Sequence, residues 1–505
     1  VRTMKQTQIK VLTQDEIEII HNNTLELLKN VGVQVDSEEA RQLLKENGAI
    51  TNDKNIYVKF PESLVKEQLA KVPDSFTLWG SDGSYKFEVN TTSVNFATVG
   101  TPVRIYDPKH KKSIRKTILS DNISQIRIVD SLKNIRCSHV DVWPNDVPYL
   151  ETHYHAIRAW AEHSYKPYGL GCYGRIASQD MMNLTSIIVG GNEELIKKPR
   201  LIGFFNPTSP LMLTKILLNG LFVFAKYKQP TIIAPAASAG STAPVTLAGL
   251  LVQSNMEVLS SIVLTQLINP GTPIFYSTMN CPMDPPTGNV AWGSIETGLI
   301  TAGVSQLARY YSIPSRGPGA VTESKCFDIQ NGFERFMTLS FAANAGINYI
   351  TCAGTYESSL AESLELLVID DELIDIVNRG REGINVDDET LAIEQIKRVA
   401  FEGKNYLMLK HTAKNTRKEI FVPKLVDRDR RGIWKRNGSK DIIQRAKEKV
   451  DKILETQKGP GISKEVDDQL QELYKEISSR TMDFFRKAEG LDKEGDVKGI
   501  NGIEG

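Results

Sequence analysis

The stretch LIGFFNPTSPLMLTKILLNGLFVFAKYKQPTIIAPAA (201–237) decides the fold. Its first seven residues form a short β-rich run that stops on Asn206-Pro207. Its last eight, PTIIAPAA, form another. Between them, SPLMLTKILLNGLFVFAKYK is long and apolar, as a packed helix requires. Strand, helix and strand in succession make a βαβ unit, which favours a parallel sheet. Side chains alternate across a strand, so Ile202, Phe204 and Asn206 share one face, and Gly203 and Phe205 the other. Pro207 cannot continue the ladder and opens the loop.

The same beat repeats on both sides of this unit. The runs are SVNFATVG (93–100), IRCSHVDVWP (135–144), KPYGLGCYG (166–174), LIGFFNP (201–207), PTIIAPAA (230–237), TPIFYSTM (272–279), SIPSRGPGA (312–320) and INYITCAG (347–354). Eight strand-plus-helix units predict an α/β fold, a (β/α)8 TIM barrel. The competing open, doubly wound sheet lacks its dinucleotide signal, since no GxGxxG follows a strand.

The flanks read differently. Residues 1–90 are a helical and mixed extension. Thr13 and Glu16 fit a capping box, and Ile17, Ile20, Thr24, Leu27 and Leu28 fall near one helical face. The barrel is expected over 91–370. Residues 371–505 are more charged and helical, and are expected to pack on the barrel as a cap. The tail EGDVKGINGIEG is expected to be loose.

The chain has 505 residues, is 41% hydrophobic, and balances 61 basic against 61 acidic residues. That balance gives no electrostatic reason to expect nucleic acid or an anionic membrane as partner. No run is read as a membrane span, and the polar start VRTMKQTQIK does not look like a signal peptide. Five scattered cysteines without a CxxC pair argue against a disulfide framework or zinc knuckle, so a reduced cytoplasm is the default.

In barrel enzymes the chemistry sits where strands end. Here those ends offer Phe96 and Thr98, then Asp141 and Trp143, then Tyr173. They continue with Phe204, Phe205 and Asn206, with Tyr276, Ser277, Thr278 and Asn280, then Arg316, and finally Thr351, Cys352, Tyr356 and Glu357. Rings and neutral hydrogen-bonding groups dominate. Paired carboxylates, a Ser-His-Asp order and GxSxG are missing. A ring-lined, uncharged mouth suits an organic cation, because each aromatic face attracts an alkylammonium group by roughly 0.5–2 kcal/mol. Each single ring has the alternative of packing under a loop, so the set is the signal and not any member.

Several residues invite other readings. His153 and His155 resemble a metal-binding pair, but i,i+2 positions on a helix do not share a face. Lys325 reads as a loop cation, and Lys166 lies at the wrong end of its strand for Schiff-base chemistry. Cys352 reads as a small buried residue.

LTQDEIEIIHNNTLELLKNVGVQVDSEEARQLL, RKTILSDNISQIRIVDSLKNI, GSTAPVTLAG (240–249), TESKCFDIQNGFE and HTAKNTRKEIFVPKLVDRD, with Trp434 beyond, together carry a resemblance. They are similar to segments of the trimethylamine methyltransferase family, over about residues 10–480. The resemblance implies a (β/α)8 barrel that moves a methyl group from a methylated amine to the Co(I) corrinoid (cobalamin) of a separate corrinoid protein. Founding members use pyrrolysine, in the region corresponding to TESKCFDIQNGFE, and this sequence has none. Members without it resemble quaternary-amine demethylases, including those acting on glycine betaine and related betaines such as proline betaine, carnitine or γ-butyrobetaine. The expected substrate-binding set is Asn206, Phe204, Tyr276, Thr98, Phe96, Trp143, Tyr173, Thr278, Arg316 and Tyr356. In it Asn206, Thr98, Thr278 or Arg316 would take a carboxylate tail. No tightly bound cofactor, metal or catalytic side chain is expected, since the partner's cobalt is the nucleophile. A homo-oligomer is expected, as symmetric oligomers are common among such enzymes. Two alternatives stand beside this reading: a non-catalytic quaternary-amine binder, and transfer from another methylated amine.

Overall fold

The computed structural model describes residues 9–491 apart from Asp53, Thr101, Lys111, Lys112, Asp141 and Lys404. Asp141 and the 494–505 tail thus lie outside the described residues. Eight strands close into a barrel: β1 (Asn95–Ala97), β2 (Ile135–His139), β3 (Tyr168–Gly171), β4 (Leu201–Phe205), β5 (Thr231–Ile233), β6 (Ile274–Ser277), β7 (Ser315–Pro318) and β8 (Tyr349–Thr351). All neighbours are parallel. The ring closes where Tyr349 of β8 pairs with Asn95 of β1. Each expected run supplies one barrel strand.

A helix follows each strand: α1 (Leu119–Ser131), α2 (Thr152–His163), α3 (Arg175–Val189), α4 (Lys215–Lys226), α5 (Leu247–Ile268), α6 (Ile295–Tyr310), α7 (Ile329–Ala345) and α8 (Leu364–Glu382). Alternation sorts the side chains as it must. Ile202 and Phe204 of β4 turn into the barrel with Ile232, Phe275 and Tyr349. Phe205 packs outward with Phe224 of α4. Gly203 leaves room for that ring, since a Cβ there would sit 2.7 Å from Phe224.

The end of the barrel where strands begin is plugged. A hairpin of Ser75–Trp79 and Lys86–Asn90 inserts Phe76, Leu78, Phe87 and Val89 into the barrel interior. Phe76 meets Phe275 edge-on, with centroids 5.1 Å apart. Burying a side chain of this size stabilises by roughly 1.5–3 kcal/mol. A ligand can therefore enter only from the opposite end.

The N-terminal helix Gln14–Asn30 carries the expected capping box, with Thr13 and Glu16 bonded reciprocally. Leu27 departs from expectation: it is exposed, and Leu25 is buried in its place. α5 is a second departure. By length and apolar composition it could cross a membrane, but 72% of its most apolar window is buried. It packs against the N-terminal helices Gln14–Asn30 and Glu62–Leu69.

In the C-terminal region, Ile442–Thr456 packs on α8 and α1, and Lys464–Ser478 on α3. Tyr474 stacks on Tyr154 of α2 at 4.3 Å. α8 itself runs across residue 370, the expected end of the barrel.

Candidate functional site

A cavity of about 270 Å³ opens at the mouth of the barrel, where the strands end. Its walls come from four barrel strands and from the loops that follow other strands at the same end. β2 gives His139, β3 gives Gly169 and Gly171, and the loop after β3 gives Tyr173. β4 gives Phe204, with Asn206 just beyond it, and β7 gives Arg316. Met279 and Trp292 follow β6, and Ser358 to Leu360 follow β8.

Arg316 lies fully buried in this wall. Its guanidinium donates to the Thr278 carbonyl at 3.0 Å and to the Thr351 hydroxyl. It also sits 5.1 Å from the centre of the Phe204 ring. Rigidly held cations of this kind suit a planar carboxylate. No Asp, Glu, Lys or Cys appears among the described lining residues.

His139 is fully buried beside it. Its Nε2 lies 3.0 Å from the Tyr349 hydroxyl, and its backbone N–H donates to Thr98 Oγ1 at 3.0 Å. Burial, and then the positive charge of Arg316, hold this imidazole down at about 3. At neutral pH it is an uncharged hydrogen-bonding group, not a proton donor.

The two inward glycines of β3 make the space. A Cβ on Gly169 would stand 1.8 Å from His139 Nδ1, and one on Gly171 2.2 Å from the Tyr173 ring. The run YGLG thus sets two bare positions beneath the two rings of the neighbouring wall.

Of the ten expected substrate-binding residues, Asn206, Phe204, Tyr173 and Arg316 line the cavity. Asn206 Nδ2 donates to the Ala234 carbonyl at 2.7 Å, which fixes its amide. The other six lie elsewhere. Phe96 points outward and joins the apolar cluster of α1 and α8, with Ile128 and Leu367. Tyr276 also points outward, and its hydroxyl donates to Asn255 of α5 at 2.7 Å. Thr98 and Thr278 are buried and occupied, the first by the His139 N–H and the second by Arg316 and the Asn280 N–H. Tyr356 packs on Phe327 behind the β8–α8 loop, and burial pushes its phenol up. Trp143 stands behind Tyr173 at 5.7 Å, edge to face, and lines a separate cavity of about 30 Å³ with Phe484 and Phe485.

Sequence reasoning missed His139, Met279, Trp292 and Ser358 to Leu360. His139 was within reach, since it shares strand parity with Cys137, which points inward. Trp292 had no sequence signal: it enters from a loop and is anchored by its indole N–H on the Met279 carbonyl at 3.1 Å.

Lys166 Nζ donates to the carbonyls of Val129, Leu132 and Ile135, each at 2.6 Å, at the closed end of the barrel. His153 bonds Asp180 at 3.1 Å, while His155 faces Glu151 at 3.7 Å. Lys325 is exposed, and Cys352 is buried.

Residues 1–481 match the sequence model of the trimethylamine methyltransferase family. A trimethylamine methyltransferase of Methanosarcina mazei is 35% identical over 483 residues, covering 91% of this chain and 93% of that one. A glycine betaine methyltransferase of Desulfitobacterium hafniense is 31% identical over 464 residues, covering 91% and 95%. Among solved structures, the monomethylamine methyltransferase of Methanosarcina barkeri aligns at 12% identity and a TM-score of 0.46, covering 94% of this chain and 96% of that one. On the match along the sequence, the chain belongs to the trimethylamine methyltransferase family.

Proposed function

We propose that the protein transfers a methyl group from a betaine, a quaternary amine carrying a carboxylate, to the Co(I) corrinoid of a separate protein. The single observation that carries this reading is Arg316, a fully buried cation in a cavity whose described lining holds no carboxylate. A bare alkylammonium ion would be repelled by it. A zwitterion complements it, carboxylate toward Arg316 and quaternary nitrogen toward Tyr173 and Trp292. Phe204 is less a cation binder than its sequence position suggested, because its ring already faces Arg316.

The chemistry asks little of the side chains. The partner's Co(I) supplies the nucleophile. The C–N bonding pair stays on nitrogen, and a neutral tertiary amine leaves without a proton. Proximity and exclusion of water are what the site contributes. That agrees with a lining whose one histidine is held neutral and which offers no thiol, amine or carboxylate nucleophile among the described residues. Cation–π contacts favour the charged ground state, so the rings supply binding and alignment; only contacts that strengthen in the transition state speed transfer.

The relatives are named for both trimethylamine and glycine betaine. Pyrrolysine is absent from this sequence, and Arg316 favours the betaine side. A panel tests the choice. Glycine betaine, proline betaine, carnitine, γ-butyrobetaine, choline and trimethylamine are each incubated with enzyme and cob(I)alamin, and methylcobalamin is followed. At least one carboxylated quaternary amine should react well above choline and trimethylamine. Trimethylamine reacting as fast as every betaine would refute the proposal. Ligand binding without any methylcobalamin would leave a binder in its place. Arg316→Gln should lower kcat/KM for the betaine by about 100-fold, from losing a buried charge-assisted pair worth roughly 3 kcal/mol, and should narrow its lead over choline.

A further inference from the structure

Two carboxylates that the proposed transfer does not use stand behind the mouth. Glu323 and Glu334 lie in the segment TESKCFDIQNGFE (322–334), which runs from the β7–α7 loop into α7. Glu323 Oε2 accepts from the Gly293 N–H at 2.6 Å, and the Trp292 backbone N–H adds to this. Glu334 Oε2 accepts from the Thr322 hydroxyl at 2.6 Å and from the Glu323 N–H at 3.0 Å, while Gln330 donates to Glu334 Oε1 at 2.9 Å. The two carboxylates converge on Gly293, where an added Cβ would lie 2.7 Å from an oxygen of each. A side chain at that position would push them apart.

Neither carboxylate forms an ion pair among the described residues, whereas Glu357 on the adjoining loop faces Arg104 at 3.6 Å. Burial pushes the Glu323 carboxyl up. The Gly293 N–H opposes that, Glu334 adds to it, and the Trp292 N–H and the exposed Lys325 oppose it. Glu323 Oε1 is buried without a hydrogen-bond partner. Backbone donors aimed at a carboxylate favour its ionised form, so this corner keeps negative charge.

Its place in the fold gives that charge a use. Trp292 lines the cavity with its indole pinned on the Met279 carbonyl, and Glu323 holds the same residue from its backbone side. The mouth thus carries a cation in its wall, Arg316, and an anion behind one of its rings. Charges in partly buried surroundings act well beyond contact distance, because water and salt screen them poorly there. A zwitterion has one end for each.

We propose that Glu323, backed by Glu334, is a positioning and specificity residue. It fixes Trp292 in the wall and makes that side of the mouth the negative pole. The quaternary nitrogen of the substrate then settles on Trp292 while its carboxylate meets Arg316. This rests on the betaine reading above.

Glu323→Gln separates charge from scaffold, because a glutamine oxygen still accepts the Gly293 N–H. The probes are the betaine that binds best and its carbon isostere (for glycine betaine, 3,3-dimethylbutanoate). The isostere keeps shape and carboxylate but has no positive charge. Each is titrated by calorimetry onto the full chain without a methyl acceptor. The native chain should bind the betaine about tenfold more tightly than the isostere, or better. Glu323→Gln should cut that preference about tenfold by weakening the betaine alone. Glu323→Asp, which keeps the charge, should retain the preference. Equal binding of both ligands by the native chain would overturn the proposal, as would an unchanged preference in Glu323→Gln. Equal weakening of both ligands would reduce Glu323 to a structural brace and overturn it too. If Glu323→Gln fails to fold, Glu334→Gln should still lower the preference about threefold, and an unchanged value counts against the pole. Because binding is read without methyl acceptor, the two proposals fail separately. Glu323-dependent betaine binding with no methylcobalamin formed removes the transfer and keeps the pole. Methyl transfer with an unchanged preference in Glu323→Gln removes the pole and keeps the transfer.

Discussion

Gly169 and Gly171 show how finely single residues set this site. They lie two apart on β3, and each faces a ring across the wall. A methyl at Gly169 would overlap the imidazole of His139, which is buried and tied to Tyr349. That ring has nowhere to move, so Gly169→Ala should destabilise the fold by about 2–3 kcal/mol, in the range for overpacking a core, and abolish substrate binding. Gly171→Ala meets the far edge of Tyr173, a loop residue at the rim. That ring can swing, so the variant should keep its melting temperature within a few degrees while its KM rises. Thermal unfolding and steady-state kinetics on the pair separate the two outcomes.

His139 also gives a pH prediction. It is neutral in the fold down to about pH 3, whereas in the unfolded chain it takes up a proton near 6.5. Between those values the unfolded state binds the extra proton, so stability rises with pH. The contribution is complete above pH 6.5 and is lost as pH falls toward 3. Between pH 7 and pH 5 the loss is about 2 kcal/mol. Burial likewise lowers His21, His155 and His163, so total acid sensitivity is larger. Comparing denaturant unfolding of the native chain and His139→Asn at both pH values isolates this residue; an equal pH dependence in both would reject it as a source.

At the scale of elements, the mouth depends on two parts from outside the barrel strands. The first is the β8–α8 loop, where Glu357, Ser358 and Ser359 all have positive φ, from 51° to 61°. Consecutive non-glycine residues in this region carry strain, of order 1–3 kcal/mol each, that the surroundings must hold in place. Backbone bonds hold it, from the Glu357 N–H to the Ser324 carbonyl and from the Ser358 N–H to the Thr322 carbonyl, and Arg335 of α7 ties the start of the loop by binding Asp370 of α8 and the Thr355 carbonyl, while Asp370 also accepts from the Gly354 N–H. Arg335→Met should leave Asp370 buried and unpaired, at a cost of about 3–5 kcal/mol measured by denaturant unfolding.

The second part is the C-terminal helix Met482–Glu489. Glu489 accepts from the N–H groups of Arg175 and Ile176 at the start of α3, at 2.9 and 2.8 Å, and from Asn219 at 2.8 Å. A carboxylate there satisfies open donors and meets the positive end of the helix. Phe484 and Phe485 of the same helix close the small cavity behind Tyr173. Glu489→Ala should therefore lower stability by about 3 kcal/mol and loosen Tyr173, raising KM more than it lowers kcat. A loss of stability with KM unchanged would confine Glu489 to a structural role.

At the scale of the whole molecule, the barrel was legible because its signal is periodic. Strands of one parity and long apolar helices recur along the chain, and each repeat reports the same architecture independently. The sequence also determined which half of Phe204-Phe205 enters the barrel, since strand alternation admits one answer, and it identified Arg316, Asn206 and Tyr173 as strand-end groups. Tertiary structure alone decided the rest. Strand parity at run ends depends on where each strand begins, so Phe96 and Tyr276 turned outward, while His139 was passed over. Thr98 and Thr278 lie beside the site but are engaged by its own groups, a matter of three-dimensional neighbours. Trp292, the Ser358 loop, Glu489 and the bare glycines come from distant positions that only chain closure brings to one mouth. The short helices between residues 388 and 436 are the converse case: local pattern encodes that a face is apolar, and only the folded chain shows that none of the described residues in those helices is buried.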